Sequence, residues 1–296
     1  MFTFRGMRGR VNNDAYIVEQ LKSIPMADNC FIDSSRRFGG LERLYGPGAT
    51  ERLRVGHVVV AGIGGVGSWC AEALARCGVG RITLIDLDHV AESNVNRQIH
   101  ALTSTLGQAK AAAMAQRIRD INPECVVRVV DDFVEPENVQ VIVPLDADIV
   151  IDATDQASAK IALILEARRR KQALVICGGA GGKTDPLGLR SGDLSQAVND
   201  ALLSKLRNTL RRQHGFPRAA DAAGKVRKRI PRMMLRALWF DQPAVLPAAW
   251  SADRTAGGGP QGLSCAGYGS AVMVTAAMGL AAANEAVHWL LNGRHA

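Results

Sequence analysis

Short apolar runs alternate with longer, Ala-rich segments along the first part of the chain. The apolar runs are rich in Val and Ile, which is typical of strands buried in a sheet, and the segments between them have the length of helices. The pattern predicts strands at 54–61, 81–86, 126–130, 147–153 and 173–179, and helices at 66–77, 107–121 and 158–171.

Strands that alternate with helices of this length form right-handed βαβ units, and their sheet is mostly parallel with helices on both faces. We therefore predict an α/β fold with a Rossmann-like, doubly wound sheet and a C-terminal extension. The expected divisions are an N-terminal tail at 1–34, a nucleotide-binding domain at 35–190 and a C-terminal part at 191–296 that completes the same domain.

The C-terminal part contains a basic segment, residues 205–236, with 11 Lys or Arg and a single acid, Asp221. The segment is either a solvated surface insertion or a surface that contacts the phosphates of a nucleic acid. The candidate contacts to RNA are Arg211, Arg212, Lys225, Arg227, Lys228 and, next to Ile230, Arg229.

An uncharged stretch at 255–284 raises the question of a membrane span. Its continuous run of apolar and small residues covers only 271–283, whereas a span needs about 20 residues. We expect a buried Ala-rich helix there, and peripheral membrane association stays open.

Composition favours a globular protein and argues against several other classes. With 47% hydrophobic and 22% charged residues, the chain has the composition of a globular protein, and its formal charge of +8 favours an anionic partner such as a nucleic acid. Its six cysteines include no Cys-x-x-Cys pair, which argues against a zinc site or a disulfide scaffold. The N-terminal region lacks the apolar stretch of a secretory signal, so we expect a cytoplasmic protein.

A glycine-rich turn follows the first predicted strand and opens a helix. Gly62, Gly64, Gly65 and Gly67 satisfy the pattern G-x-G-x-x-G, in which backbone N–H groups and a helix N-terminus bind a phosphate. Asp86 lies 19 residues after Gly67, at the end of the second strand, where such folds place an acid on a ribose. A nicotinamide dehydrogenase satisfies this much of the pattern equally well.

The residues after Asp86 favour a nucleotide that is cleaved. Asp88 is followed by Asn96 and Arg97, and Lys110 follows near the start of a helix. A bridging pyrophosphate seldom needs both an arginine and a lysine, whereas a triphosphate whose bond breaks in the reaction needs cations on its oxygens.

A further acid follows the fourth predicted strand. Asp152 and Asp155 lie at the carboxyl edge of the sheet, where ligands of open α/β folds bind, and Asp155 is a candidate ligand of Mg²⁺. Asp155 is also a candidate cap for the helix at 158–171, and the two roles are compatible.

Together these motifs resemble the adenylating domain of the ubiquitin-activating-enzyme superfamily, which includes the ThiF, MoeB and HesA types. Six segments occur in the expected order. They are RFGGLERLYG, GIGGVGSWCAEALARCGVGRITLIDLD, NVNRQIHAL, INPECVVRVVDDFV, GGAGGKTDP and LSCAGYGSAVMVTA. Within the superfamily the chain is most similar to the tRNA threonylcarbamoyladenosine dehydratases, the TcdA or CsdL group.

The resemblance implies a set of roles for the site residues. ATP is expected with its phosphates on the glycine turn and beside Asn96, Arg97 and Lys110, its ribose on Asp86 and Asp88, and Mg²⁺ on Asp155. Arg97, Lys110 and Asp155 are then the expected catalytic residues.

The resemblance also implies partners. They are tRNA carrying threonylcarbamoyladenosine rather than DNA, sulfur-relay proteins, a monovalent cation near 178–182, and a second copy whose Arg37 or Arg43 enters the site. Members of the MoeB and ThiF types carry two Cys-x-x-Cys pairs that bind zinc, so their absence here favours tRNA over a sulfur carrier.

The implied reaction is adenylation of the threonylcarbamoyl carboxylate, attack of the carbamoyl nitrogen on the activated carbonyl, and release of AMP. The alternatives are adenylation of the C-terminus of a sulfur carrier or ubiquitin-like protein, an RNA-binding protein that senses a nucleotide without turnover, and the dehydrogenase. Cys177 and Cys265 are candidate nucleophiles, although lone cysteines usually lie in a core.

Overall fold

One seven-stranded sheet forms the centre of the fold. The strands are β1 (His57–Ala61), β2 (Arg81–Ile85), β3 (Val126–Val130), β4 (Ile149–Asp152), β5 (Ala173–Cys177), β6 (Leu189–Asp193) and β7 (Arg236–Phe240). Their order across the sheet is β3-β2-β1-β4-β5-β7-β6. All neighbours are parallel except β6, which pairs antiparallel with β7. The predicted doubly wound, mostly parallel α/β fold is confirmed.

A computed structural model describes residues 33–221, 225, 227–245 and 268–293. The described residues from Ser35 onward belong to one compact unit. The helices of the described residues are α1 (Ser34–Tyr45), α2 (Ala49–Val55), α3 (Gly67–Arg76), α4 (Lys110–Ile121), α5 (Val139–Ile142), α6 (Ala157–Arg170), α7 (Ala201–Gln213) and α8 (Val272–Asn292). Most of the predicted tail, residues 1–32, and Cys265 lie outside the described residues.

The central strands are buried on both faces, which explains their unbroken apolar sequences. Every residue of β1 and β4 is buried, whereas β3, at the edge of the sheet, has exposed residues. One apolar cluster joins the sheet to α3, α4 and α8, and a second packs α5 and α6 on the opposite face. A third joins α6 and α7 to β7. The sheet therefore continues past residue 190 into the C-terminal part.

Two predicted boundaries are wrong. The strand predicted at 54–61 begins only at His57, because Arg54 belongs to α2 and pairs with Glu51 within that helix at 2.7 Å. The helix predicted at 107–121 begins only at Lys110. Gly107 has a φ of +82°, and the amide of Val90 donates to the Gln108 carbonyl at 2.8 Å, so the chain is extended just before the helix.

The basic segment is not a single insertion, which corrects the description given to residues 205–236. Its first residues form the greater part of α7, where Leu206 and Leu210 are buried against the core. Its last residue, Arg236, begins β7 and pairs with Glu285 at 2.7 Å. Only residues 214–235 lie between these elements, so part of the charge serves the fold.

The expected Ala-rich helix is present as α8, which packs along α3. Gly279 allows this contact, since a Cβ at that position would lie 2.4 Å from the Val66 carbonyl oxygen and 2.8 Å from the Trp69 Cβ. Among the helices of the described residues, none combines the length and apolar character needed to cross a bilayer.

We expect Gly279→Ala to lower the free energy of unfolding by about 1–3 kcal/mol, because the new methyl group overpacks the interface between α8 and α3. Ala is favoured over Gly in a helix by roughly 1 kcal/mol, so helix propensity alone would raise the stability of this variant. A loss of stability therefore indicates overpacking. Urea denaturation followed by circular dichroism measures the change.

The matched control is Gly39→Ala in α1, where an added Cβ meets no atom within 4 Å. This control should leave stability unchanged or raise it. Equal stability gains in both variants would contradict the close packing of α8 on α3.

Candidate active site

A cavity of about 400 Å³ lies at the carboxyl ends of the central strands. It brings together most of the residues that the sequence identified. Those lining it are Gly62, Gly64, Gly65, Asp86, Asp88, Arg97, Lys110 and Asp155. Gly67 and Asn96 are not among its lining residues.

The glycine turn connects β1 to α3 and packs closely against the end of β4. Gly62 has a φ of +85°, and a Cβ there would lie 2.8 Å from the Ala153 carbonyl carbon. A Cβ at Gly67 would lie 1.8 Å from the Gly62 oxygen, so this glycine allows the turn itself. At Gly64 a Cβ would meet no atom within 4 Å, so the backbone there borders open space. An anion is favoured at this place, because α3 begins here without a side-chain cap.

Asp86 holds the glycine turn in position. Its Oδ2 accepts a hydrogen bond from the Ile63 N–H at 2.6 Å, and its Oδ1 accepts one from the Asp88 N–H at 2.8 Å. Burial raises the pKa of Asp86, and the Ile63 N–H and the charge of Lys110 act in the opposite direction. The acid expected at the ribose thus lines the cavity and also fixes the turn.

Lys110 is the first residue of α4 and is only 7% exposed. Its Nζ pairs with Asp88 at 2.8 Å, and its backbone N–H donates to the Asp88 carbonyl at 2.9 Å. The ammonium is therefore held at the wall of the cavity by an acid whose own side chain is half exposed.

Arg97 lies against the glycine turn, where its Cγ comes within 3.3 Å of a Cβ built at Gly65. Its Nη1 donates to the Ser93 carbonyl at 2.6 Å and to Asn96 Oδ1 at 3.0 Å. Its carbonyl accepts a hydrogen bond from Trp69 Nε1 at 3.0 Å, which ties this segment to α3.

Asn96 supports the site from outside the cavity. Besides accepting the bond from Arg97, it donates through Nδ2 to the Ser270 carbonyl at 2.8 Å, just before α8. It therefore orients Arg97 and anchors the segment before the C-terminal helix.

Asn94 and Gln98 also line the cavity, and the sequence assigns them no individual role although both belong to the segment NVNRQIHAL. Both are buried, and the Gln98 N–H donates to the Asn94 carbonyl at 2.9 Å. Gln98 Oε1 is buried without a hydrogen-bond partner among the described residues. Their spacing of one helical turn is a signal for a shared face, but the sequence does not say that this face borders the cavity.

A buried ion pair fixes the turn after β4. Asp152 and Lys160 are both fully buried, with Lys160 Nζ 3.1 Å from Asp152 Oδ1. The same oxygen accepts hydrogen bonds from the N–H and hydroxyl of Thr154, at 3.1 Å and 2.7 Å. Asp155 follows this turn, is exposed and lines the cavity. The cap residue of α6 is Gln156, so Asp155 does not take the capping role.

Cys177 lies in the core at the end of β5 and is 1% exposed. Burial raises its pKa to about 12. The protonated thiol is a poor nucleophile near neutral pH. Within the described parts of the chain, no cluster of three or more His, Cys, Asp or Glu side chains has the arrangement of a metal site.

The candidate RNA contacts lie away from the cavity. Leu202, at the start of α7, lines the cavity, and Arg211 and Arg212 are near the other end of this helix, roughly 15 Å along its axis. Arg211 is partly buried, whereas the other candidates are exposed. Arg37 and Arg43 lie on α1 and do not line the cavity, and Arg37 donates to the Ile121 carbonyl at 2.7 Å.

The chain is similar to known proteins in sequence and in fold. The model of the ThiF family matches residues 37–295. A tRNA threonylcarbamoyladenosine dehydratase of Escherichia coli K12 is 46% identical over 253 residues, which cover 85% of this chain and 92% of the relative. The dehydratase of Haemophilus influenzae is 40% identical over 257 residues, covering 86% and 94%. The crystal structure of the Escherichia coli enzyme TcdA in complex with ATP superposes with a TM-score of 0.75 at 42% identity, covering 88% and 97%.

The buried His100 makes stability depend on pH. It is 2% exposed, neither ring nitrogen has a partner among the described residues, and burial together with Lys110 lowers its pKa from 6.5 to about 4. As the pH falls, the His100 imidazole is therefore protonated in the unfolded chain before it is protonated in the folded protein. We expect stability to fall as the pH drops from 6.5 to 4, by at most about 3.5 kcal/mol at roughly 1.4 kcal/mol per pKa unit.

The His100→Phe variant should lose less stability than the unmodified protein between pH 7.5 and pH 5. Urea denaturation at the two pH values measures both losses, and the comparison removes the contribution of other groups. Equal losses in the two proteins would show that His100 does not carry this dependence.

Proposed function

Because the chain belongs to the ThiF family, we propose that it is an ATP-dependent enzyme that converts threonylcarbamoyladenosine in tRNA to its cyclic form. The observation that carries the proposal is the cavity at the glycine turn, which gathers Arg97 and Lys110 beside a backbone suited to phosphates. Extensive similarity to tRNA threonylcarbamoyladenosine dehydratases supports the substrate.

ATP fits this cavity with its phosphates on the glycine turn. The open space at Gly64 and the uncapped start of α3 favour the phosphate oxygens. Asp86 retains lone pairs for the ribose hydroxyls, although two backbone amides already bind it. Arg97 and Lys110 then supply positive charge at the oxygens that become more negative as the bond to pyrophosphate breaks.

Asp155 fits a role in holding Mg²⁺. Magnesium in nucleotide sites is usually bound by one or two carboxylates, the phosphates and water, so a single exposed acid at the cavity edge is a suitable donor. When bound, the ion would neutralise phosphate charge.

The first chemical step forms an acyl-adenylate. A carboxylate oxygen of the threonylcarbamoyl group attacks the α-phosphorus, the bond from this phosphorus to the bridging oxygen breaks, and pyrophosphate leaves. Lys110 is already held at the cavity wall by Asp88, so little reorganisation is required to place its charge.

In the second step the carbamoyl nitrogen attacks the activated carbonyl carbon, and its proton passes to solvent. The ring closes and AMP leaves with the former carboxylate oxygen on its phosphate. Water is thus removed from the nucleoside without appearing as a free product, and the protein acts mainly by positioning and by stabilising charge.

We also propose which surfaces bind the partners. The exposed cations between α7 and β7 would contact tRNA, and a second copy would contribute Arg37 or Arg43, which lie outside the cavity of their own chain. A monovalent cation near residues 178–182 and sulfur-relay proteins are further expectations from the resemblance.

The protein incubated with ATP, Mg²⁺ and threonylcarbamoyl-modified tRNA should release AMP and yield the cyclic nucleoside, detected by mass spectrometry. We expect Arg97→Ala and Lys110→Ala each to lower kcat by roughly 10²–10³-fold, the loss typical of removing a group that stabilises transition-state charge.

Arg128→Ala, at an exposed position of β3, is the control and should retain full activity. ATP–pyrophosphate exchange supported only by a carrier protein ending in Gly-Gly would refute the tRNA substrate. Full activity in both cavity variants would refute the placement of the triphosphate.

The binding of tRNA to the basic segment should be visible in its salt dependence. Replacing Arg212, Lys225 and Lys228 by Gln should flatten the plot of log affinity against log salt concentration by about 0.7–0.9 for each phosphate that the variant no longer neutralises. Filter binding at several salt concentrations measures the slope. Replacement of Arg52, Arg119 and Arg128, three exposed arginines elsewhere, should leave the slope unchanged; equal slopes for all three proteins would exclude the basic segment from the interface.

A further inference from the structure

A second cavity, also about 400 Å³, adjoins the nucleotide cavity. Asp155, Gly179 and Leu202 line both, so the two spaces share a wall. The second cavity lies beyond the carboxyl end of β5, next to the first turn of α7. Asp155, assigned above to Mg²⁺, and the loop at 178–182, assigned to a monovalent cation, border it, but no role assigned above places the substrate there.

Lys183 gives this cavity a buried positive charge. The residue is 5% exposed, and its Nζ donates to the Asn199 carbonyl at 2.7 Å and to the Gln242 carbonyl. Burial lowers the pKa of Lys183, and the nearby Asp200 opposes this shift. An ammonium has three N–H donors, so the two carbonyls leave one donor for a ligand.

Lys183 has an acidic neighbour whose oxygens already accept hydrogen bonds. Asp200 is the buried acid beside it, and its two oxygens accept hydrogen bonds from the N–H groups of Leu203 and Gly179, both at 2.8 Å. Asp155, at the wall shared with the nucleotide cavity, is a second acid of the lining, so the contact to an anionic ligand depends on the remaining N–H of Lys183 and not on the net charge of the cavity.

The position of the second cavity suits the acceptor of the adenylyl group. Asp86, the residue for the ribose, and Phe133 lie on the side of the nucleotide cavity next to β2 and β3. The second cavity lies on the opposite side of the β1 and β4 ends, beside β5 and β7. A carboxylate in this space can reach the phosphates without crossing the ribose position.

We propose that the second cavity receives the threonylcarbamoyl side chain of the tRNA nucleoside, and that the remaining N–H of Lys183 binds its carboxylate before adenylation. The inference rests on the proposed function and adds the place where its substrate binds. Lys183 thereby distinguishes modified from unmodified tRNA, since only the modified nucleoside carries the carboxylate.

A double-mutant cycle that combines two proteins with two tRNAs measures the contact between Lys183 and the carboxylate. The affinity of the full-length protein and of Lys183→Met is measured for modified tRNA and for the same tRNA without threonylcarbamoyl. We expect the preference for modified tRNA to fall by roughly tenfold or more in the variant, as for loss of a hydrogen bond between charged groups. Affinity for unmodified tRNA and for ATP should stay within about twofold.

Lys171→Met is the matched control, because Lys171 is exposed at the end of α6, away from both cavities. An unchanged preference in Lys183→Met, or an equal fall in ATP affinity, would overturn the inference. If the protein without substitutions forms no cyclic nucleoside from modified tRNA, the proposed function is refuted. Failure of the proposed function can therefore be told apart from failure of the proposed role of Lys183.

A second variant decides the outcome if Lys183→Met does not fold. Ala201 is an exposed residue at the start of α7 that lines the second cavity and not the nucleotide cavity. Ala201→Trp should fill the space and raise KM for modified tRNA by about tenfold, while ATP affinity is retained. An unchanged KM would overturn the placement of the substrate.

Discussion

The close approach of Gly62 to the Ala153 peptide is the constraint on which the site depends. It brings the turn after β1 against the end of β4, so that the elements carrying the phosphate-binding backbone and Asp155 meet at one edge of the sheet. Asp86 secures the same turn from the β2 side through the Ile63 N–H. Three parallel strands thus converge on one loop, and the cavity follows from their arrangement rather than from a separate binding module.

The buried ion pair of Asp152 and Lys160 positions the turn at this edge of the sheet. Removing both charges from water is costly, and such pairs rarely stabilise a fold compared with apolar residues of similar size. Here the pair and Thr154 fix the turn that leads to Asp155. The arrangement places an exposed acid on a rigid support, which suits a group that must meet a charged ligand at a defined position.

The sequence predicts the fold and the main part of the cavity because both depend on local spacing. Glycines after a Val-rich strand and an acid at the end of the next strand specify a phosphate loop whatever surrounds them. The orientation of side chains in the 94–98 segment depends instead on distant contacts. Asn96 turns toward Ser270, and Asn94 and Gln98 face the cavity, which no pattern within the segment reveals. Lys183 was not identified for the same reason, since its partners lie at Asn199 and Gln242.

The packing of α8 on α3 has a consequence for biosynthesis. The two helices are separated by about 200 residues of sequence, and contacts this distant form late, because a long loop must close first. Thr275 of α8 lines the nucleotide cavity, so the cavity is incomplete while α8 is still within the ribosome. Until α8 emerges, the side of α3 that it covers in the folded protein stays exposed, and exposed apolar surface of this kind promotes aggregation.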